Sequence, residues 1–549
     1  MSLFVADVTD RGKALNIPGV YWRDDLKPRG YYINPEDASP HAIAMLRRTF
    51  PHLSDALPDT SPEQDASTPR PVDLATPWAG DRTAEDLLPN LPAEMRDRLY
   101  RYQQVDLAYL TARLREDGGA YCGWSRGLGK TFGAIAVAME LGVNKWIVVG
   151  PNSSKESVWR PELHKWAGNT FDVINLRGTK QQRERALTQF DKATSAVMLV
   201  HYEALRLVDW KRVNAELVVC DEAHRLAKGQ AGGAAPAFYK ALMKIKVPYR
   251  LALSGSVVVN TPEDLFGALH WLMPDRYSSK WRDFNSRFFI YQQGAWGQQF
   301  LCVKPKMLEP MKHEMGGLLV MRRKEDELPD LPTRIDQTIE VHLSPAQRKV
   351  YDDLATKFVA ELPDGEMLLA PTVLAQLTKL RQVATGLDLM GEDFTDSAKL
   401  DLAEEMIADN VPNKTVVFAW HRRTVTALTD RLNGKGIKAY GITGDTKDRA
   451  RAEYVKEFQE DPDVKVIVAT IKTLGEAVTL HAASDLIFVE SSWTPTDMEQ
   501  AADRVYRIGQ KNHVTITTIV AADTVDVYRV LPVLKSKSEI RALVLGGTL

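Results

Sequence analysis

AYCGWSRGLGKTFGAIAVAMEL, residues 120–141, is the stretch on which the reading of this chain turns. AYCG has the character of a short buried strand. It runs into a glycine-flanked turn, and the turn opens directly onto the helical pattern TFGAIAVAMEL. Gly127 and Gly129 let the backbone bend tightly, so that successive N–H groups face one point at the N-terminus of the helix, a cradle for phosphate oxygens. Within Gly127, Leu128, Gly129, Lys130 and Thr131, the lysine has the length to reach the β- and γ-phosphates of a nucleotide. The Thr131 hydroxyl is placed for Mg²⁺. Trp124 stands where the common GxxxxGK[ST] spacing has its first glycine.

Outward from this loop the same grammar repeats. Between residues 118 and 275 the β-rich runs AYCG, WIVVG, VINL, VMLVHY, LVVC and RLALSG alternate with amphipathic stretches. Continuous apolar strands joined by helical connections predict a parallel sheet covered on both faces. After residue 410 the pattern returns in TVVFAW, AYGI, VKVIVAT, LIFVES and VTITTIV, which predicts a second α/β sheet. Residues 276–400 read as helical, with KVYDDLATKFVAEL and VLAQLTKLRQVATGL as amphipathic helices. The expected organisation is a small N-terminal segment (1–50), a Pro/Asp-rich linker (51–90), a first lobe (91–275), helical protrusions with an inter-lobe linker (276–400), a second lobe (401–535) and a tail (536–549).

Composition sets the outer bounds. The 549 residues are 44% hydrophobic and 26% charged, with a formal net charge of −2, which excludes a disordered chain, a collagen or a small disulfide scaffold. Any nucleic-acid partner must then be held by local patches and not by bulk basicity. Cys122, Cys220 and Cys302 lie far apart with no CxxC spacing, so neither a disulfide framework nor a zinc site is expected. The longest apolar runs reach four to six residues, where a membrane span needs about 20. The expectation is a cytoplasmic, reduced, monomeric protein with no membrane partner.

Two further patterns carry chemistry. Asp221-Glu-Ala-His224 follows strand LVVC about 90 residues after the phosphate loop, where a carboxylate at a strand end holds Mg²⁺. Asp221 fits that place, Glu222 is set to polarise an attacking water, and His224 to relay nucleotide state. Gln500-AADRVYRIG-Gln510 presents Arg504 and Arg507 three residues apart, read as one face of a helix start. Such a pair can clamp a γ-phosphate, although an isolated RxxR is ordinarily a solvated helix face. Trp159, Trp166 and Trp271 read as core. The clusters Arg322-Arg-Lys324 and His421-Arg-Arg423 lean towards nucleic-acid phosphates.

With these residues in view, the sequence resembles the Swi/Snf-type ATPases of the DEAD/H-like helicase superfamily from about residue 97 to 535. Leu99-YRY-Gln103 resembles the Q-motif, and the resemblance implies that Gln103 reads the adenine. GWSRGLGKT, WIVVGPNSSKESVWRPELHKW, VMLVHYEAL and VVCDEAHRLAKG are similar to motifs I, Ia, Ib and II. Leu253-SGS-Ser256 resembles motif III, which implies coupling roles for Ser254, Gly255 and Ser256, with Val257 in place of a common proline. TVVFAWHRR resembles motif IV. TIKTLGEAVTLHAASDLIFVESSWTP resembles motif V, with Ala477, Val478 and Thr479 replacing its G-x-N; the threonine is similar to that of the annealing-helicase, fork-remodelling branch. The RIGQ ending resembles motif VI, with Gln500 on its nucleotide-binding side.

The resemblance implies two RecA-like parallel-sheet lobes with helical insertions, ATP and Mg²⁺ in the cleft, and duplex or forked DNA as a sequence-nonspecific track. The function implied is an ATP-dependent DNA translocase or helicase of a compact, bacterial or phage type. An RNA helicase and a nucleotide-gated DNA-binding scaffold are the alternatives. Residues 1–90 match no motif and are a candidate protein-partner segment.

Overall fold

The computed structural model describes residues 3–6, 21–23, 30–33, 73–229, 235–277, 281–294, 297–328, 331–361, 367–369, 372–390, 396–474, 478–507 and 509–545. Three N-terminal strands, β1 (Leu3–Ala6), β2 (Tyr21–Arg23) and β3 (Gly30–Ile33), pair antiparallel in the order β1-β3-β2. The remainder of the expected N-terminal segment, and residues 51–72 of the expected linker, lie outside the described residues. Strands β1–β3 belong to one compact unit that also takes in the segment 280–315, and the two parallel sheets belong to another.

The first parallel sheet is built from β4 (Gly119–Trp124), β5 (Lys145–Gly150), β6 (Asp172–Asn175), β7 (Ala196–His201), β8 (Leu217–Asp221) and β9 (Tyr249–Leu253), the six runs read from sequence. After the hairpin β10 (Phe289–Gly294) and β11 (Gly297–Val303), a seventh strand, β12 (Leu319–Arg322), pairs parallel with β4. The order is β12-β4-β9-β8-β5-β7-β6. The second sheet combines β13 (Arg334–Val341) with β16 (Thr415–Ala419), β17 (Ala439–Ile442), β18 (Val466–Thr470), β19 (Asp485–Phe488) and β20 (Val514–Ala521), in the order β13-β20-β19-β16-β18-β17. A short hairpin, β14 (Val359–Glu361) with β15 (Met367–Leu369), intervenes.

The helical reading of 276–400 is therefore corrected. The segment supplies one edge strand to each parallel sheet and two hairpins, alongside helices such as Pro345–Lys357 and Val373–Thr385. Helices Ala75–Ala79 and Ala84–Leu87 fall inside the span read as linker, with Thr83 and Asp86 closing a reciprocal cap on the second. The expected tail is likewise helical, since helix Leu531–Leu545 runs through it.

The second sheet shows why such runs become strands. Val416, Phe418, Ile467 and Ala469 face one apolar cluster, while Val417, Ala419, Val466 and Val468 face the other. Alternation places every second residue on each face, and both faces are dry, so the strands read as unbroken apolar runs. Each fully buried valine or phenylalanine contributes about 1.5–3 kcal/mol relative to exposure.

Strand order also positions the chemistry. Neighbours β4, β9 and β8 run parallel, so the loops leaving their carboxyl ends lie side by side. Those loops are Ser125-Arg-Gly-Leu-Gly129, Ser254-Gly-Ser256 and Glu222-Ala-His224. Ligands of parallel α/β sheets bind at this carboxyl edge.

Candidate active site

In the cradle, Gly127 and Gly129 adopt φ of +88° and +87°, the left-handed region that favours glycine. Gly129 is the N-cap of helix Lys130–Leu141, so the helix begins with the lysine. Lys130 Nζ donates to the carbonyls of Trp124 at 2.8 Å and Ser125 at 3.3 Å. Burial lowers its pKa, opposed by Glu222. Thr131 is half-buried at the first turn. Gln103 has both ends of its amide engaged: Nε2 donates to the Leu128 carbonyl at 3.0 Å and Oε1 accepts from the Tyr100 N–H at 2.9 Å. It clasps helix Arg101–Asp117 to the loop, and the adenine-reading role implied by resemblance would require that clasp to be exchanged.

The acidic pair lies one strand across from the β9 loop. Trp159 Nε1 donates to Asp221 Oδ2 at 2.9 Å, the Glu222 N–H donates to Asp221 Oδ1 at 3.0 Å, and the Tyr202 hydroxyl donates to the Asp221 carbonyl at 2.8 Å. Burial and the neighbouring Glu222 charge push the Asp221 carboxyl up to about 6. Glu222 moves the other way. Burial alone would raise it, but Arg126, His224 and Lys130 hold it well below the usual carboxylate range. Its Oε1 accepts from Arg126 Nη2 at 2.9 Å and its Oε2 lies 3.3 Å from His224 Nδ1. Glu222 also carries a positive φ of 52°, uncommon for a residue with a side chain and frequent at functional sites. His224 Nδ1 lies 3.1 Å from Ser254 Oγ, which accepts from the Ser256 N–H at 3.1 Å. A continuous polar chain therefore links Glu222 to the β9 loop through His224.

The arginines differ from the sequence reading in their local structure. Helix Pro495–Ala502 stops before them, and Arg504 and Arg507 sit in the turns that follow. The N–H groups of Arg504 and Val505 bond three residues back, to Ala501 and Ala502, so the chain tightens out of the α-helix on its way to Gly509, φ +98°. Arg504 is buried. Its Nη1 reaches the Val478 carbonyl at 3.4 Å, and Arg507 Nη1 donates to Thr479 Oγ1 at 2.7 Å. Burial and repulsion by Arg126 lower the Arg504 pKa to about 10, while Glu222 opposes that shift. Arg504 thus lies within electrostatic reach of the first-lobe carboxylate. Gln500 is half-buried on the preceding helix. Of the motif V segment, residues 475–477 lie outside the described residues.

Sequence reasoning missed several partners. Arg126 is a second cation in the same loop as Lys130, and its pairing with Glu222 carries no local sequence signal. Trp159 is core by burial, as expected, yet its indole N–H orients Asp221. Within Arg322-Arg-Lys324 the reading is corrected for two residues: Arg322 is committed to Asp106, Asp73 and Glu327, and Lys324 to Asp503 and the Tyr506 carbonyl. Similarly, His421 bonds Glu490, Arg422 pairs with Asp445, and Arg423 donates to the Leu389 carbonyl. Arg322, Lys324 and His421 are thus occupied by partners mostly distant in sequence, whereas Arg422 and Arg423 stay exposed.

Two parallel-sheet lobes, with a glycine-bounded loop and an acidic pair on the first and arginines on the second, define a class of two-lobed α/β proteins. Within it, the model of the SNF2-related domain matches residues 102–389 and that of the helicase conserved C-terminal domain matches 398–509, and the chain belongs to the SNF2-related family. The human DNA annealing helicase and endonuclease ZRANB3 is 26% identical over 481 residues, covering 84% of this chain and 42% of the relative. An uncharacterized ATP-dependent helicase of Mycoplasma pneumoniae is 24% identical over 452 residues, covering 80% of this chain and 42% of the relative. The chain thus spans about two fifths of the length of these curated relatives. The Sulfolobus solfataricus SWI2/SNF2 ATPase core in complex with dsDNA is 22% identical, with a TM-score of 0.39, over 83% of this chain and 94% of that one. No helix among the described residues is long and apolar enough to cross a membrane.

Proposed function

We propose that the chain hydrolyses ATP and uses the cycle to move along or remodel duplex or forked DNA. The observation that carries this reading is the grouping of Lys130, Glu222 and Arg504, the last from the other lobe, in one electrostatic neighbourhood. Lys130 would leave its two loop carbonyls for the outer phosphates. Glu222 would orient and polarise the attacking water, and Arg504 with Arg507 would balance the charge that develops on the transferring phosphoryl group.

Mg²⁺ fits the residues present. Asp221 is a carboxylate raised to about 6 beside a second carboxylate, which a dication would relieve, and the Thr131 hydroxyl adds a second hard oxygen donor. Bound there, the ion would neutralise phosphate charge. The names of the relatives, a DNA annealing helicase and an ATP-dependent helicase, support a nucleic-acid-driven motor. So does a cation–aromatic pair on the second lobe, where the exposed Lys472 lies 4.7 Å from the Trp420 ring centre. Those residue types take up phosphates and bases.

Phosphate release measured without nucleic acid, and with duplex DNA, forked DNA, single-stranded DNA or RNA, tests the reading. DNA should stimulate turnover. Affinity should fall with salt at a log–log slope of about −0.7 to −0.9 per phosphate contact. Lys130→Ala should lose hydrolysis, and Glu222→Gln should bind ATP yet stall. Stimulation by RNA alone would replace the DNA track by an RNA one, and a normal rate in Glu222→Gln would remove Glu222 from the chemistry.

A further inference from the structure

Arg126 is a loop cation to which neither the phosphate-loop pattern nor the arginine pair gives a task. Its Nη2 holds Glu222 Oε1 at 2.9 Å, while its Nη1 is buried and has no hydrogen-bond partner among the described residues. A buried charged donor calls for an acceptor. The surroundings say which kind. A Cβ placed on Gly255 would lie 3.2 Å from the Trp124 carbonyl oxygen, 3.4 Å from Arg126 N and 3.5 Å from Lys130 Nζ, so the β9 loop closes tightly over this side of the cradle. Repulsion from Arg126 is felt by Arg504 of the second lobe, and Lys130 faces the same carboxylate. Three cations around one glutamate suit an acceptor of high negative charge density, and a terminal phosphate set among them turns repulsion into attraction.

We propose that Arg126 is a specificity-determining residue of the phosphate site, holding Glu222 with one guanidinium nitrogen and offering the other, Nη1, to the γ-phosphate of a nucleoside triphosphate. The planar fork of arginine suits the double duty, binding a carboxylate on one prong and a phosphate oxygen on the other. A nucleoside diphosphate leaves the second prong unused, so the loop distinguishes the two nucleotides before hydrolysis. This rests on the nucleotide site proposed above.

The test is equilibrium binding of AMP-PNP and of ADP, each with Mg²⁺, to the full chain and its variants. Arg126→Met should weaken AMP-PNP about tenfold or more, the size of one hydrogen bond to a charged group, and change ADP by less than about twofold. Arg126→Lys, with a compact point charge, should recover only part of the loss. Glu222→Gln keeps the guanidinium and should keep the triphosphate preference. Parallel weakening of both nucleotides in Arg126→Met, no weakening of either, or loss of the preference in Glu222→Gln as complete as in Arg126→Met would each overturn the proposal. Lys130→Ala serves as the control, expected to weaken both nucleotides. If it binds both as the parent does, the cradle itself is misread and the Arg126 proposal falls with it.

Discussion

Glu490 illustrates how a single buried carboxylate ties a lobe's working edge together. It follows β19 and accepts hydrogen bonds from the backbone N–H groups of Trp420 and His421, both at 2.8 Å, and from the Thr385 hydroxyl at 2.9 Å, with His421 Nδ1 at 2.7 Å. Burial alone would push its carboxyl up, but the His421 contacts and charge, with Lys399 beyond them, hold it at about 2 against an ordinary 4.5. The folded-state pKa is depressed, so the stabilisation is present above about pH 4.5 and is lost as pH falls towards 2. Glu490→Gln should therefore cost about 3 kcal/mol at pH 7, and the gap to the parent should close near pH 2. Urea unfolding at both pH values checks this. A gap of the same size at both would show that packing, and not the charge, is what Glu490 supplies.

At the scale of elements, the short helix Lys324–Glu327 acts as a strap between lobes. It leaves the end of β12, and the buried Lys324 ammonium pairs with Asp503, donates to the Tyr506 carbonyl at 2.7 Å and lies 4.4 Å from the Tyr506 ring centre. Asp503 adjoins Arg504 and acts electrostatically on both Arg504 and Arg507. Freed of its lysine, it would draw the arginines to itself. Lys324→Met should lower kcat about 10- to 100-fold, the range for small misplacement of catalytic groups, with KM for ATP nearly unchanged. Adding Asp503→Asn should restore part of the loss; an equal loss of kcat in the single and the double variant would show that the strap holds no arginine in place. The strap was hidden in the sequence for the same reason as the strand before it. Strands set between amphipathic stretches in an alternating pattern announce themselves, and the eleven read from residue patterns in the two lobes all formed, the edge strands β6 and β17 included. β12, LVMR, is a short apolar run that follows a helix and lacks the strand–helix alternation around it, and β13, RIDQTIEV, is mostly exposed at a sheet edge and shows no apolar run. The cradle and acidic pair were legible because glycine, lysine and aspartate are required there at fixed local spacing. Arg126 pairing with Glu222, or Trp159 with Asp221, depends on strand order, which local spacing does not encode.

For the whole molecule, the decisive relation is between lobes. Lys130, Asp221 and Glu222 stand at the carboxyl edge of the first sheet, whereas Arg504 and Arg507 follow a helix of the second; Arg126 and Glu222 act electrostatically on Arg504, and the Lys324 strap joins β12 to the turns that carry the arginines. If the arginines complete the phosphate site, Ala at either position should leave nucleotide binding to the first lobe nearly intact and cut turnover by up to about 10³-fold, the low end for an arginine finger, since two share the task. Lysine should rescue poorly, because a point charge lacks the fork that grips two oxygens. Basal and DNA-stimulated rates should fall together, with DNA affinity in the absence of nucleotide unchanged. Nucleotide binding, DNA binding and phosphate release on the same preparations separate the cases. Normal hydrolysis joined to lost DNA binding would move Arg504 and Arg507 to the nucleic-acid side, and the lobes would then have to couple through the polar chain from Glu222 to Ser254 alone.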